Sequence, residues 1–278
     1  MLKRLTGLAW VELYKISRQK YSYLLILFVV FNGALVGLGS KVFPALLSTL
    51  RGGGGGAAFD GYTFASIIAS GTFSSGGAGT IAMLAFSGSL VASETDSGTL
   101  KNILVRPVKR HELILAKAAA LLVYCLAVVA VTALLGVICG AAFYGMGDLA
   151  IPETGEIYRT RAEMFGNVSI SFFMDLFSIY TVGCMGLLIS VLINSAGWAV
   201  ITALVIYFPV MFLKNFDIFS PWIFTAYMDL GQNILREMAV VQSKTWAPDI
   251  YSFFAVTLLT IAAFISLSLF FFKRKEIQ

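Results

Sequence analysis

Few side chains in this 278-residue chain have types and spacing suited to chemistry. His111 is the only histidine, so one chain cannot build a multi-histidine metal site. Cys125, Cys139 and Cys184 all fall in apolar stretches at no motif spacing, which reads as small core residues. The run Gly52–Gly56 is not followed by Gly-Lys-Ser/Thr and reads as a flexible linker rather than a phosphate loop. Asp60–Gly61 is followed by Tyr62–Ala65, without the basic and acidic partners that a phosphotransferase metal site needs. No His-Glu-x-x-His, Gly-x-Ser-x-Gly or Walker pattern occurs. Two features survive. One is Asp175, a carboxylate inside a long apolar run. The other is Glu94–Lys117, ETDSGTLKNILVRPVKRHELILAK, a charged island between two apolar segments.

The elements that position these residues follow from composition. The chain is 58% hydrophobic and 13% charged, with mean hydropathy +0.85; a soluble domain carries about 25% charged residues. Several continuous apolar runs approach the roughly 20 residues that cross a bilayer. Only helices or closed barrels satisfy their backbone in lipid, and because the runs are continuous rather than alternating they are expected to be helices. The fold class expected is an all-α membrane protein, a single transmembrane domain over 1–278. Its six spans fall at about 21–43, 73–93, 118–144, 168–193, 196–213 and 251–272. No cleavable signal peptide is expected, since the polar Met1–Lys20 precedes a run long enough to stay in the membrane.

In the second span Gly71, Ser75 and Gly79 recur every four residues, and Gly76, Thr80 and Gly88 form a similar series. Small residues at that spacing let helices approach closely, which predicts a span packed inside the bundle; a water-lined path is the alternative. Met1–Lys20 sets Leu2, Leu5, Leu8, Ala9, Leu13 and Ile16 on one helix side, which suits an interfacial helix. Segment 214–250 holds Phe216, Phe219, Trp222, Phe224, Tyr227 and Trp246. That aromatic density predicts short re-entrant helices at the external interface, with a plain ordered loop as the alternative.

Orientation follows from basic residues. Thirteen of the 20 Lys and Arg residues lie at the N-terminus, in the island and at the C-terminus. The other seven are Lys41, Arg51, Arg159, Arg161, Lys214, Arg236 and Lys244. The positive-inside rule puts both termini and the island in the cytoplasm. Within the island, Thr99–Val105 reads as a short amphipathic helix with Leu100, Ile103 and Leu104 on one face. Pro107 breaks it, and a helix restarts from Glu112. Such a unit, wired to two spans, can transmit a push; an ordinary basic loop is the plain reading.

Asp175 also has two readings. It lies about two turns from the external end, where it could hydrogen-bond structurally or serve a substrate or proton path. A proton-coupled carrier would normally show more such groups.

The pattern Glu94, Gly98-Thr99-Leu100, Leu104, Pro107-Val108, Arg110 and Lys117 resembles that of the permease subunits of type-2 ATP-binding-cassette (ABC) exporters. Val105 replaces that pattern's second Leu, and Lys109 stands where Ser is usual. Glu12-Leu13-Tyr14-Lys15, followed by Arg18 and Lys20, is similar to the family's opening segment. The resemblance implies a homodimer, or a pair with a related permease, carrying two separate ATPase subunits. The chain itself would bind no cofactor, ATP and Mg residing on the ATPase. Glu94, Gly98 and Thr99 would set the entry of a coupling helix, and Leu100, Ile103 and Leu104 would form its packing face. Pro107 and Arg110 would fix its exit.

The expected partners are thus the ATPase, a second permease and membrane lipids, with no nucleic acid, in the inner (plasma) membrane. An amphipathic peptide, drug or lipid-like molecule is the expected cargo. An ion-gradient carrier using Asp175 is the alternative, and a lipid-modifying enzyme is disfavoured by the missing polar constellation.

Overall fold

The computed structural model describes residues 2–19, 72–99, 109–146, 149–150, 157–231 and 247–275, with Ser22, Tyr23, 26–28, 30–32 and Ala65. Its helices are α1 (Leu2–Arg18), α2 (Ala78–Ser89), α3 (Ala92–Asp96), α4 (Arg110–Tyr144), α5 (Arg161–Leu192), α6 (Ala196–Leu213), α7 (Phe224–Tyr227) and α8 (Ala247–Arg274). A short antiparallel ribbon, β1 (Leu149–Ala150) with β2 (Ile157–Arg159), joins α4 to α5. The described residues are thus helical apart from this ribbon and the connecting turns. Four helices among the described residues are long and apolar enough to cross a membrane: Arg110–Ala142, Arg161–Leu192, Ala196–Leu213 and Pro248–Arg274.

These four correspond to the last four predicted spans; α6 has the predicted bounds, whereas α4, α5 and α8 begin before theirs. At its start α4 carries Glu112 in its first turn, whose carboxylate accepts the Lys109 N–H at 3.3 Å. The same device begins α5, where Glu163 accepts the Thr160 N–H at 3.2 Å. A first-turn carboxylate satisfies an orphan donor and faces the positive end of the helix dipole, so each helix starts well before its apolar run.

The second predicted span differs more. It is not one helix over 73–93. At 12 residues, α2 is about 18 Å long, short of the roughly 30 Å hydrocarbon core. A turn at Leu90–Val91 separates it from α3, and Ser74–Gly77 lies outside it at the other end. The first predicted span lies mostly outside the described residues, although Ser22, Tyr23, 26–28 and 30–32 are helical.

The core forms around α5, which buries eighteen residues, including Gly183 and Gly186. α2 packs against it with Gly79, Thr80, Met83, Leu84, Ser87 and Gly88 all buried. The small-residue expectation for this segment therefore holds at Ser75, Gly79, Thr80 and Gly88 but not at Gly76, which is exposed; Gly71 is outside the described residues. A Cβ on Gly88 would rest 3.6 Å from Ala203 Cβ of α6. The tightest approach involves a glycine of α5: a Cβ on Gly186 would run into Ser87 Oγ and lie 3.0 Å from the Leu84 carbonyl oxygen. Removing one Cβ from each surface lets two helices come close enough for extensive dispersion contact, the main source of association in lipid.

α6 and α8 keep large apolar side chains on their outer surfaces. Trp198, Ile201, Val205 and Phe212 are exposed on α6, as are Leu258, Leu259 and Phe270 on α8. Apolar side chains facing outward along whole helices suit a hydrocarbon surrounding.

Glycine substitution should separate packing from propensity. Gly186→Val is expected to destabilise the detergent-solubilised chain by about 1–3 kcal/mol through overpacking. Gly197→Ala, at a helical site with nothing within 4 Å of the added atom, should leave the thermal midpoint unchanged or slightly raised. Equal midpoints for the two variants would refute the close α2–α5 approach.

Candidate functional site

Four charged side chains meet at the end of the bundle that carries α1. Glu12 and Lys15 come from successive turns of α1, Glu94 from α3, and Lys117 from the second turn of α4. Lys15 Nζ lies 2.6 Å from Glu12 Oε1 and 3.1 Å from Glu94 Oε1. Lys117 Nζ lies 2.7 Å from Glu12 Oε2 and 2.9 Å from Glu94 Oε2. The four charges form a closed ring of alternating sign with no net charge. Glu94 Oε2 faces Lys117 as an ion pair yet accepts no hydrogen bond, so the Glu12 corner is the better satisfied of the two carboxylates.

Burial makes this ring consequential. The Lys117 side chain is 3% exposed and that of Glu12 7%, whereas Lys15 retains 35%. Burial pushes the Glu12 carboxyl up, but its ion pairs and hydrogen bonds with Lys117 and Lys15 outweigh that and hold it below its ordinary value. Burial likewise pushes Lys15 down, while Glu12 and Glu94 more than offset it and hold the ammonium above its ordinary value. Both groups are therefore kept charged.

Local structure explains how each residue arrives there. The apolar side of α1 places Leu13 and Ile16 in the core cluster with Leu113, Ile114 and Leu121 of α4. Glu12 and Lys15, three residues apart on the helix, flank that contact. The α2–α3 turn is held by Ser190 of α5, whose hydroxyl oxygen accepts the N–H groups of Val91 and Ala92 at 2.8 and 2.9 Å. That fixes the start of α3 and hence Glu94.

At the other end of α3, Gly98 takes φ +69°, a left-handed conformation that glycine adopts without a Cβ clash. Thr99 Oγ donates back to the Glu94 carbonyl at 3.3 Å. Gly98 and Thr99 are thus a helix stop directly after the ring. Leu100, Ile103, Leu104 and Pro107, the remaining coupling residues expected from the sequence, lie outside the described residues.

Arg110 sits at the first turn of α4 and turns to the C-terminus. Its Nη1 donates to the carbonyls of Lys273 and Lys275, at 3.3 and 2.8 Å. Lys275 Nζ in turn donates to the Val191 carbonyl at 2.7 Å. A cation at each helix C-terminus satisfies orphan carbonyls and the negative dipole end. α4, α5 and α8 are thereby tied at the same end as the ring.

At the opposite end Asp229 receives the Ser75 N–H at 3.0 Å and pairs with Lys214 Nζ at 2.6 Å. The Tyr207 hydroxyl donates to the Ser75 carbonyl at 2.6 Å. Asp229 is thus paired within the chain. The aromatic segment here divides: Trp222 and Ile218 are each 80% exposed, whereas Phe224 and Met228 join the core beside Tyr207 and Met185. Asp175 is brought to neither end. It is 1% exposed, midway along α5 between Ser171 and Ser178.

Sequence reasoning placed Glu94 and Lys117 in one motif and Glu12 and Lys15 in another, without joining them. It missed Ser190, Gly183 and Gly186 altogether. Residues 50–278 match the family model described as a protein of unknown function (DUF2705). The chain belongs to the DUF2705 family. The match covers Glu94 and Lys117 and begins after α1, so Glu12 and Lys15 lie outside it. No curated protein matches the chain.

Removing one member of a buried ion pair leaves the other uncompensated. Lys117→Met is expected to cost about 3–5 kcal/mol, and Lys15→Met clearly less because Lys15 is partly hydrated. The ring also sets a pH window. Glu12, lowered in the fold, contributes fully above its ordinary 4.5 and loses that contribution as pH falls through its lower folded value. Lys15, raised in the fold, contributes fully below 10.5 and loses it as pH rises beyond. Thermal midpoints should plateau between these limits, with a shallower acid limb in Glu12→Gln. An unchanged acid limb would contradict the ring's role.

Proposed function

We propose that this chain is the membrane subunit of a type-2 ABC exporter, driven by a separate ATPase. The observation that carries the reading is the buried ring. Glu94 and Lys117 bracket the proposed coupling segment, and the ring fastens both to Glu12 and Lys15 of the opening helix. The described residues on either side of 100–108 are thus tied to one electrostatic knot. A force applied to that segment reaches α1, α3 and α4 together, since separating any of them strands a buried charge. Arg110 and Lys275 extend the connection to α5 and α8.

On this reading the protein has six spans, with both termini and the ring on the cytoplasmic side of the plasma membrane. Two copies, or one with a related permease, would bind two ATPases holding ATP and Mg. The push opens a path for an amphipathic peptide, drug or lipid-like molecule. The four fully described spanning helices, the excess of Lys and Arg at the ring end and the lipid-compatible surfaces of α6 and α8 support it. A gradient-driven carrier is the second reading, favoured by one observation, the buried carboxylate of Asp175. It requires transport without an ATPase that is lost in Asp175→Asn.

The test is co-purification with a candidate ABC ATPase, followed by ATP hydrolysis in proteoliposomes. Leu104→Asp and Arg110→Glu should reduce assembly or permease-dependent turnover by about tenfold or more, equivalent to 1.4 kcal/mol. Unchanged assembly and turnover in both variants would remove the coupling assignment.

A further inference from the structure

Basic side chains gather where α4 begins and α8 ends. Arg110 Nη1 donates to the Lys273 and Lys275 carbonyls at 3.3 and 2.8 Å, which sets the first turn of α4 against the last turn of α8. Lys109 and Arg110 on one side of that junction, and Lys273 and Arg274 on the other, are all exposed. Lys275 turns inward instead, to the Val191 carbonyl. None of the four exposed cations forms an ion pair among the described residues, where the ion pairs lie in the ring and at Asp229. Glu112, the acid closest to them in sequence, is buried and accepts the Lys109 N–H.

Four like charges drawn to one junction repel each other, and no carboxylate among the described residues answers them. The place calls for an anion, and its position in the fold says of which kind. The stretches long and apolar enough to cross a membrane begin at Arg110 in α4 and end at Arg274 in α8. The cations therefore stand at the limit of two apolar helices, the level at which lipid headgroups lie.

One turn back along α8, Phe270 and Phe271 are exposed. The Arg274 guanidinium carbon lies 4.1 Å from the Phe270 ring centroid, so this side chain folds back over the apolar surface instead of reaching away from it. Cationic heads above an apolar wall match a molecule with an anionic head and a hydrocarbon body. Free phosphate would answer the charges alone. An acidic protein face would answer them too, but offers nothing for the aromatic wall beneath. A guanidinium, moreover, presents a fork of N–H donors that suits two oxygens of one phosphate.

We propose that the junction of α4 and α8 binds the headgroup of an anionic phospholipid. Lys109 and Arg110 approach its phosphodiester from α4, Lys273 and Arg274 approach it from α8, and an acyl chain runs along Phe270 and Phe271. The lipid thereby neutralises the junction and fastens the two helices at this end. The site needs α4 and α8 to lie in a membrane; it needs neither an ATPase nor an exported molecule.

The experiment uses the full chain in neutral detergent, without ATPase. It is titrated with phosphatidylglycerol and, separately, with phosphatidylcholine of the same acyl chains, and bound lipids are counted by native mass spectrometry. Each Lys or Arg near an anionic headgroup changes affinity roughly fivefold. Phosphatidylglycerol should therefore bind at least about tenfold more tightly than phosphatidylcholine and raise the thermal midpoint. Lys273→Gln/Arg274→Gln should weaken phosphatidylglycerol binding by about tenfold or more, with the lipid-free midpoint close to that of the unmodified chain. Lys3→Gln/Arg18→Gln, which removes two charges from α1, should change it by less than about twofold. Should the α8 variant fail to fold, the comparison of the two lipids on the unmodified chain decides. Equal affinity for the two lipids, or equal loss in the α1 variant, overturns the site. So does inorganic phosphate that raises the midpoint as far as phosphatidylglycerol does. A polyglutamate peptide that binds the unmodified chain but not the α8 variant, without any preference between the lipids, assigns the patch to an acidic protein and overturns the lipid. Lys273 and Arg274 lie outside the proposed coupling residues, so failure here leaves the coupling reading standing, and failure of coupling leaves this site standing.

Discussion

The arrangement at one end of this protein depends on a neutral ring of four charges, of which Glu12 and Lys117 are buried and Glu94 and Lys15 partly so. A lone ammonium or carboxylate taken out of water costs several kcal/mol, which attraction offsets only when the partners are close and oriented. Glu12, Lys15, Glu94 and Lys117 meet that condition together and not in pairs, since each lysine touches both glutamates. The consequence is mechanical. α1 cannot part from α4 without leaving Lys117 facing a single carboxylate, and α3 cannot swing away without leaving Glu94 bare. Three segments far apart in sequence become one body at the point where the chain departs into residues 100–108.

This body is anchored to the rest by α5. Its hydroxyl at Ser190 holds the α2–α3 turn, and its glycines at 183 and 186 admit α2 against its surface. The shortness of α2 has the same origin. A helix that ends at Ser89 so that Val91 and Ala92 can present their N–H groups to Ser190 cannot also run to residue 93. The gain is a fixed direction for α3, and with it a fixed position for Glu94.

Polar groups elsewhere obey the same accounting of partners. At the far end Asp229, Lys214, Ser75 and Tyr207 satisfy one another. In the helix interiors hydroxyls return to their own carbonyls. Against that background Ser171 Oγ, Asp175 Oδ2 and Ser178 Oγ of α5 stand out as buried without a hydrogen-bond partner among the described residues, as does Glu94 Oε2 of the ring.

Much of this was legible in the residues. Low charge and apolar runs that are continuous rather than alternating point to membrane-crossing helices and not to a closed barrel, the other fold that satisfies its backbone in lipid. The bounds of α6 coincide with the predicted fifth span, and Asn194–Ser195 before it carries no charge to blur the edge. The island's start at Glu94 and the importance of Lys117 were visible as charges in apolar company. Partners were not. Glu12 and Lys117 are 105 residues apart, and no local periodicity encodes which distant lysine a carboxylate will meet. The overruns of α4 and α5 came from single capping carboxylates, and the break after α2 from one serine on another helix. Sequence alone marked which segments are apolar enough to leave water, because that depends on each segment's own composition. Which charges neutralise each other, and which polar atoms are left unspent, only the packed structure decided, because pairing depends on distance in space.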